Sequence, residues 1–324
     1  MRLGSEIVLL IAGVILLVRP EQAPLAVAAA LALGCGPLAR AWRGARDTAL
    51  RSAVLWGFAA VALGVAAQAC AAVEPLAAGR PAAGHLAYVS VLAALAGLIS
   101  VLNARSPGSG AWAILMGLLV LVFLIPWLES FLLLRNAAGL GRLRLDAPWS
   151  LFYGLLVVAG VTNYLPTRYG PAALALAAAF ALEYLGLAHT EWNAARRGVL
   201  WSLVPWFLAL AAAIADARAL RRAESHSGLE SAWLWFRDHW GVVWALRIQE
   251  RFNRTAELKA WPVRLGWFGL EPVYRPATDP LPTVPPEAEA AFRGLIRRFA
   301  QPWRADEVLA ADIASSCDQG HAAR

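Results

Sequence analysis

Five polar side chains in or beside the long apolar segments are the residues with which this chain could do chemistry. They are Glu183, His189, Glu191, Asn163 and Glu129. Glu183 lies deepest, because it stands inside the apolar run 172–188. An ionised carboxylate at the centre of a membrane helix costs at least ~2.5 kcal/mol on insertion scales. We therefore expect Glu183 to face the bundle interior, water or a cation, or to be protonated.

Two interpretations of Glu183 stay open. In the functional one, it forms a proton or cation site, or the polar part of a lipid headgroup site, with His189 or Glu191. Glu191 lies just over two helical turns further on and roughly shares its face, whereas His189 does not. In the structural one, its carboxyl bonds to Tyr, Thr or Asn on a neighbouring helix and fixes the packing. For His189 and Glu191 alone, the alternative is a solvated loop at the membrane edge.

The common catalytic and metal-binding motifs do not occur in this sequence. Its only lysine, Lys259, follows Leu258 rather than glycine, so there is no P-loop, and neither HExxH nor GxSxG is present. Cys35, Cys70 and Cys317 have no CxxC spacing, which argues against a zinc site or a disulfide framework. We therefore assign no catalytic residue, metal ligand or cofactor, and the sequence favours a protein that is not an enzyme.

The composition predicts the scaffold that must position these residues. Of 324 residues, 59% are hydrophobic and only 16% are charged, which is too apolar for an ordinary soluble protein. The apolar residues also form blocks long enough to cross a bilayer, which needs roughly 20 residues of helix. We predict an all-α polytopic membrane protein with a bundle over residues 1–216. Its eight candidate spans are Ile7–Val18, Ala23–Ala39, Ala53–Val73, Leu86–Leu102, Ala111–Leu134, Trp149–Pro166, Ala172–Ala188 and Val199–Ala215. Pro126 should kink the fifth span. The third carries a stripe of small residues that lets another helix approach closely, namely Gly57, Ala60, Gly64, Ala67 and Ala71.

Charge indicates the orientation of the bundle. The formal charge of +7 comes almost entirely from arginine, and orientation and anionic lipid explain it without nucleic acid. The Arg-rich loop 40–52 and the Arg residues that follow the last span favour a cytoplasmic C-terminus. Abundant Ala and Arg with scarce Lys suggest a bacterial protein of the inner membrane. Eight spans leave the Arg-rich loop 135–148 outside, so either the count is off by one or these Arg bind lipid or partner groups.

A tryptophan-rich stretch, residues 229–268, follows the bundle. Its apolar residues repeat at a 4-3-4-3 spacing from Leu229 to Val243 and Trp244, which predicts one amphipathic helix. Three interpretations of this face stay open: it closes a small core, lies at the bilayer interface, or docks a membrane or soluble protein partner. The predicted docking face consists of Trp233, Phe236, Trp240 and Trp244.

The flanking segments complete the C-terminal region. Residues 217–228 read as a basic linker, 229–270 as the Trp-rich helix with a short strand, and 271–286 as a Pro-rich linker. The strand alternates over 261–267 and needs a partner, either another chain or residues near Val273 and Tyr274. In 287–324 a helix after Pro286 carries an apolar face of Phe292, Leu295, Ile296 and Phe299, suited to an anionic membrane or to the Trp-rich stretch.

These features favour a non-catalytic membrane subunit or scaffold whose C-terminal region docks a partner or the membrane surface. The alternative is a transporter or permease-like component of a complex, although only one carboxylate lies deep in a span. An intramembrane enzyme that modifies lipid is less favoured. It would need at least two convergent acidic or His residues, and only Glu183, His189 and Glu191 come close.

Overall fold

The chain folds into a helical bundle and a C-terminal cap. A computed structural model describes residues 28, 31–32, 35–73, 81–102, 104, 110–132, 145–188, 194–220, 228–273 and 283–301. In these residues the bundle helices are α1 Cys35–Gly44, α2 Arg51–Val73, α3 Pro81–Leu102, α4 Gly110–Phe123, α5 Ile125–Leu132, α6 Ala147–Thr162, α7 Gly170–Ala188 and α8 Ala194–Leu220. The cap comprises α9 Gly228–Leu258, strands β1 Val263–Leu265 and β2 Leu270–Pro272, and α10 Pro286–Ile296. The predicted helical architecture is confirmed.

Two helices of the described chain, α2 and α3, are long and apolar enough to span a membrane. The other apolar stretches form shorter helices over Met116–Ser130, Ala147–Thr162 and Gly170–Leu185. The predicted span Ile7–Val18 lies outside the described residues, as does most of Ala23–Ala39. The linkers at 217–228 and 271–286 and the tail beyond 301 are also largely outside them. Arg40 and Arg43 were expected in a loop but belong to α1.

Small residues pack α2 against α3. The buried residues of α2 are Ala60, Gly64, Ala67 and Ala71, all members of a stripe of small residues that the sequence repeats along one face. On α3, a Cβ added at Gly97 would lie 3.3 Å from the Ala53 carbonyl oxygen, so the two backbones approach closely there. The Ser90 hydroxyl donates to the Ala60 carbonyl at 2.7 Å. Small side chains therefore allow the close approach that pairs these helices.

A proline interrupts the next apolar segment. The predicted kink at Pro126 is confirmed, because α4 ends at Phe123 and α5 begins at Ile125. Proline has no backbone N–H to donate and its ring clashes with the preceding turn, so the helix breaks. The Tyr88 hydroxyl of α3 donates to the Phe123 carbonyl at 2.8 Å and satisfies an acceptor beside the break.

The cap is built around stacked aromatic rings. The Phe236 and Trp240 rings of α9 stack with centroids 4.9 Å apart, and Phe299 meets the Phe236 ring edge-on at 5.0 Å. The apolar face of α10, including Phe292 and Ile296, is fully buried in the same core. The sequence predicted that this helix packs either on an anionic membrane or on the Trp-rich stretch, and in the structure it packs on the Trp-rich stretch. Burying several aromatic side chains together is the main stabilisation of the cap.

The short strand finds its partner within the cap. The antiparallel register pairs Val263 with Pro272, Arg264 with Glu271 and Leu265 with Leu270. The partner lies just before the Val273–Tyr274 segment named from the sequence, and no second chain is needed. Asn253 holds the hairpin on α9, because its amide accepts from the Leu265 N–H at 2.7 Å and donates to the Leu265 carbonyl at 2.9 Å.

Hydrogen bonds join the cap to one end of the bundle. The indole N–H of Trp240 donates to the Ala104 carbonyl at 3.1 Å, and that of Trp244 donates to the Leu102 carbonyl at 3.1 Å. These acceptors lie at the C-terminal end of α3, where helix carbonyls lack partners within the helix. The Ala49 N–H also donates to the Phe299 carbonyl at 2.9 Å. The tryptophans thus cap a bundle helix as well as filling the cap core.

Candidate functional site

Glu183 is fully buried in the bundle and has no hydrogen-bond partner among the described residues. Its exposure is 0%, and neither carboxyl oxygen is bonded to any described residue. It lies near enough to Tyr88 and Tyr153 to interact electrostatically with both. Their hydroxyls, however, donate to the Phe123 and Phe180 carbonyls. Among the described residues, the carboxyl of Glu183 thus makes no side-chain hydrogen bond, and both interpretations of this residue stay predictions.

The other predicted polar residues are not gathered around Glu183. His189 and Glu191 lie outside the described residues, so their pairing with Glu183 stays a prediction. Glu129 is exposed on α5. Asn163 is also buried, with an exposure of 2%, but it lies where the bundle meets the cap. The described candidates thus occupy three separate environments.

Asn163 clamps a break in the Trp-rich helix. The Asn163 carbonyl accepts from the Val242 N–H at 2.9 Å, its side-chain oxygen accepts from the Val243 N–H at 3.1 Å, and its amide donates to the Trp240 carbonyl at 3.3 Å. These are the bonds of an N-cap, supplied here by another helix. Gly241 stands at the break with φ 74° and ψ −172°, a conformation that only glycine adopts readily.

This break corrects the prediction of one continuous amphipathic helix. Residues 228–240 and 242–258 are separate helical pieces joined at Gly241. The change of direction leaves Val243, predicted on the buried stripe, 40% exposed, while Trp244 stays 8% exposed. The buried stripe therefore runs from Trp240 through Trp244 to Ile248 and Phe252, and Val243 is not part of it.

The predicted docking face is covered by the chain itself. Trp233, Phe236 and Trp240 are 0% exposed, and the ring of Phe299, which follows α10, meets the Phe236 and Trp240 rings edge-on. The indole N–H groups are also used internally, that of Trp233 donating to the Gly266 carbonyl at 2.8 Å. In this structure the face closes a core, which was one of the three interpretations from sequence. In this structure the four side chains are buried, and docking of a partner on them stays a prediction.

A buried ion cluster near the clamp was not foreseen. Asp238 is 3% exposed, and its carboxylate accepts from the Arg237 guanidinium at 2.8 Å and lies 3.2 Å from that of Arg168. Arg237 also donates to the Trp267 carbonyl at 2.6 Å. Arg168 lies 70 residues away in sequence, so no local pattern could reveal the cluster. The Tyr164 hydroxyl donates to the carbonyl of the next residue along α9, His239, at 3.1 Å.

An apolar cavity of about 320 Å³ lies in the half of the bundle nearest the cap. It is lined by α2, α3, α7 and α8 and by Leu38 of α1, and it is partly open to the surroundings. Small residues make the space, among them Gly64, Ala173 and Ala212. The Ser90 hydroxyl at its wall is already bonded to Ala60. The cavity therefore suits an apolar guest rather than water.

The cavity and Glu183 lie along the same face of α7, about two turns apart. Leu176 lines the cavity and precedes Glu183 by seven residues, which is close to two turns of α7 and the same face. Leu176 and Leu208 also pack against the aromatic cluster that contains Tyr88, Tyr153 and Phe180. The cluster around Glu183 thus forms the floor beneath the cavity. Sequence reasoning identified the small-residue stripe of α2 but interpreted it only as a packing surface.

Within the described ranges, no three His, Cys, Asp or Glu side chains are grouped to hold a metal ion. No family model, curated protein or solved structure matches this chain. The function is therefore argued from the geometry of the cavity, Glu183 and the clamp.

Proposed function

We propose that this protein is an integral membrane protein whose helical bundle holds the acyl chain of a membrane lipid in the cavity, without catalysing a reaction. The cavity is the observation that carries this proposal. An apolar cavity of about 150 Å³ in a protein core stays dry and binds benzene. This one is about twice as large, at about 320 Å³. A guest would restore the dispersion contacts that its lining otherwise lacks.

The outer surface of the bundle supports a membrane setting. On α4, Ile114, Leu118 and Leu121 are 75%, 55% and 61% exposed, and they recur at a 4-3 spacing that forms one outward stripe. On α6 a matching stripe runs along Leu151, Leu155 and Val158, each at least 57% exposed. Contiguous apolar stripes of this kind are rare on soluble monomers, and lipid tails would cover them.

Three more detailed predictions from the sequence are part of this proposal. They are about eight spans, a bacterial inner membrane and a cytoplasmic C-terminus, which would put the cap and the Arg-rich α1 on the cytoplasmic side. Docking of a partner through residues 229–268 also stays a prediction. The large apolar side chains available to that partner are Val243, Leu246, Leu258 and Phe268, which are 40%, 50%, 79% and 84% exposed.

A matched pair of substitutions on α7 tests lipid binding. Ala173 lines the cavity and is 6% exposed, whereas Ala181 is on the exposed surface of the same helix. We expect full-length protein purified in mild detergent to retain bound lipid, detected by native mass spectrometry. Ala173→Leu should lose most of it because leucine fills the cavity, and Ala181→Leu should keep it. Equal lipid content in all three proteins would refute the proposal.

A second candidate, proton- or cation-coupled transport, is favoured by one observation, the buried and unpartnered carboxyl of Glu183. Under this function, Glu183→Gln would abolish proton uptake by liposomes that contain the protein and carry an imposed pH gradient. Under the lipid-binding function, Glu183→Gln should retain the same lipid as the unmodified protein. Proton uptake and lipid content, both measured on Glu183→Gln, therefore distinguish transport from lipid binding.

A further inference from the structure

An ion pair lies at the side of the cavity that faces the Arg-rich end of the bundle. Leu38 of α1 and Ala215 of α8 both line the cavity, and an ion pair joins the same two helices close by. Arg40 donates through Nε to Asp216 Oδ1 at 3.0 Å and through Nη2 to Oδ2 at 2.6 Å. Its side chain is 42% exposed and that of Asp216 is 23% exposed. Water and headgroups can therefore reach the pair.

The surroundings of this ion pair are basic. Arg43 and Arg51 are exposed, and Arg46 is 79% exposed and lies 3.7 Å from the Asp47 carboxylate. The Arg51 guanidinium lies 4.4 Å from the centroid of the Trp42 ring. Tryptophan beside arginine is typical of the depth at which headgroups lie. Such clusters attract anionic lipids.

We propose that Arg40 recognises the phosphate of an anionic lipid headgroup, which displaces Asp216 while the lipid's acyl chain enters the cavity. This inference rests on the proposed function. Guanidinium groups bind phosphate and carboxylate with the same bidentate geometry, so a phosphate can take the place of the Asp216 carboxylate without rearranging Arg40. A free phosphate offers the same chemistry, but only a lipid also has a chain to fill the adjacent cavity.

The two partners of the ion pair have opposite roles in this exchange. Arg40→Gln removes the group that binds phosphate, and Asp216→Asn removes the group that competes with phosphate. We expect the first to weaken binding of an anionic lipid about fivefold, as for one Arg near an anionic surface, and the second to strengthen it by a similar factor. A purely structural ion pair would instead give the same direction of change in both variants.

The experiment measures binding of phosphatidylglycerol and of phosphatidylcholine with identical chains to delipidated full-length protein in detergent. Arg46→Gln is the control, because it removes an exposed charge from the same cluster. Unmodified protein should prefer phosphatidylglycerol, Arg40→Gln should lose the preference, Arg46→Gln should keep it, and Asp216→Asn should increase it. Arg40→Lys, which keeps the charge without the bidentate geometry, should show an intermediate preference and serves if the Gln variant unfolds.

Three results would overturn the inference. One is equal loss of preference in Arg40→Gln and Arg46→Gln, and another is weaker binding by Asp216→Asn. The third is displacement of bound lipid by inorganic phosphate at millimolar concentration without any dependence on the acyl chain, which would indicate a free-anion site. Equal binding of the two lipids would contradict recognition of the headgroup by Arg40 and would leave the proposed binding of the acyl chain intact. If neither lipid binds, or Ala173→Leu binds both as before, the proposed function itself fails.

Discussion

The cap and the bundle each bury one acidic side chain, and they surround it in opposite ways. Asp238 of the cap is 3% exposed and lies between the guanidinium groups of Arg237 and Arg168. Glu183 of the bundle is 0% exposed and has no bond to either oxygen among the described residues. One acid is compensated by two cations, and the other is surrounded by apolar and aromatic side chains.

This difference separates a structural acid from a candidate functional one. A buried charge that keeps its partners fixes local geometry, and removing one partner is costly because the other is left uncompensated. A buried carboxyl without partners lowers stability and fixes nothing. Asp238 therefore helps to hold the cap against Arg168, whereas no bond to a described residue gives Glu183 a comparable role. The predictions below test this contrast in order of expected effect.

The largest effect is expected for Asp238→Ala. It leaves the Arg237 and Arg168 guanidinium groups without their shared carboxylate, and breaking a buried pair in this way costs about 3–5 kcal/mol. The free energy of unfolding of the cap, followed by tryptophan fluorescence in urea, measures the loss. Glu271→Ala is the control, since Glu271 is 47% exposed and pairs with Arg264 at 2.9 Å. An exposed pair contributes at most about 1 kcal/mol. Similar losses in the two variants would contradict a structural role for Asp238.

Gly241→Ala tests the clamp that joins the two regions. An added Cβ would collide with the Asn163 side chain and carbonyl, and the φ of 74° is itself unfavourable for alanine. We expect a loss of about 3 kcal/mol in the same assay. Gly294→Ala is the matched control on α10, because nothing lies within 4 Å of its added Cβ. Alanine should stabilise that helix by about 0.5–1 kcal/mol. A neutral Gly241→Ala would mean that the break is not fixed by Asn163.

Glu183→Leu should change stability in the opposite direction from Asp238→Ala. Replacing two buried, unbonded oxygens with apolar atoms of similar volume removes a penalty of about 1–3 kcal/mol. Thermal unfolding in detergent should therefore shift upward. Glu183→Gln serves as the control, because its amide keeps polar atoms at the same place and should gain less. A downward shift for Glu183→Leu would show that the carboxyl has a stabilising partner and would end the contrast with Asp238.

Patterns within a single helix were predictable from the sequence. The buried stripe of α2 and the break at Pro126 depend on residues a few positions apart, where helical geometry determines which side chains share a face. The apolar face of α10 was predicted for the same reason. Its location on the Trp-rich stretch was one of two alternatives, because periodicity identifies a face but not its partner.

Features that depend on distant segments were not predictable. The break at Gly241 requires Asn163 from α6, and without that residue the spacing of Trp233, Phe236 and Trp240 looks like one continuous helix. The pairing of Asp238 with Arg168 likewise joins two elements far apart in sequence. The sequence indicated that Glu183 is a deep carboxylate. Whether a described residue bonds to it depends on all the helices that pack around it. Only the assembled bundle reveals that.

The smallest expected effect concerns the indole hydrogen bonds between the cap and the end of α3. Trp244→Phe keeps the ring but removes the N–H that donates to the Val101 and Leu102 carbonyls at 3.2 and 3.1 Å. The expected loss is about 0.5–1.5 kcal/mol. Trp235→Phe is the control, because its ring packs on Trp240 and its N–H makes no hydrogen bond within the described residues. If both variants lose the same amount, ring packing alone holds the cap on the bundle. If only Trp244→Phe loses stability, the hydrogen bonds from the cap to the end of α3 contribute to that attachment. The cap then stabilises α3, the helix that contains Tyr88 and places it near Glu183.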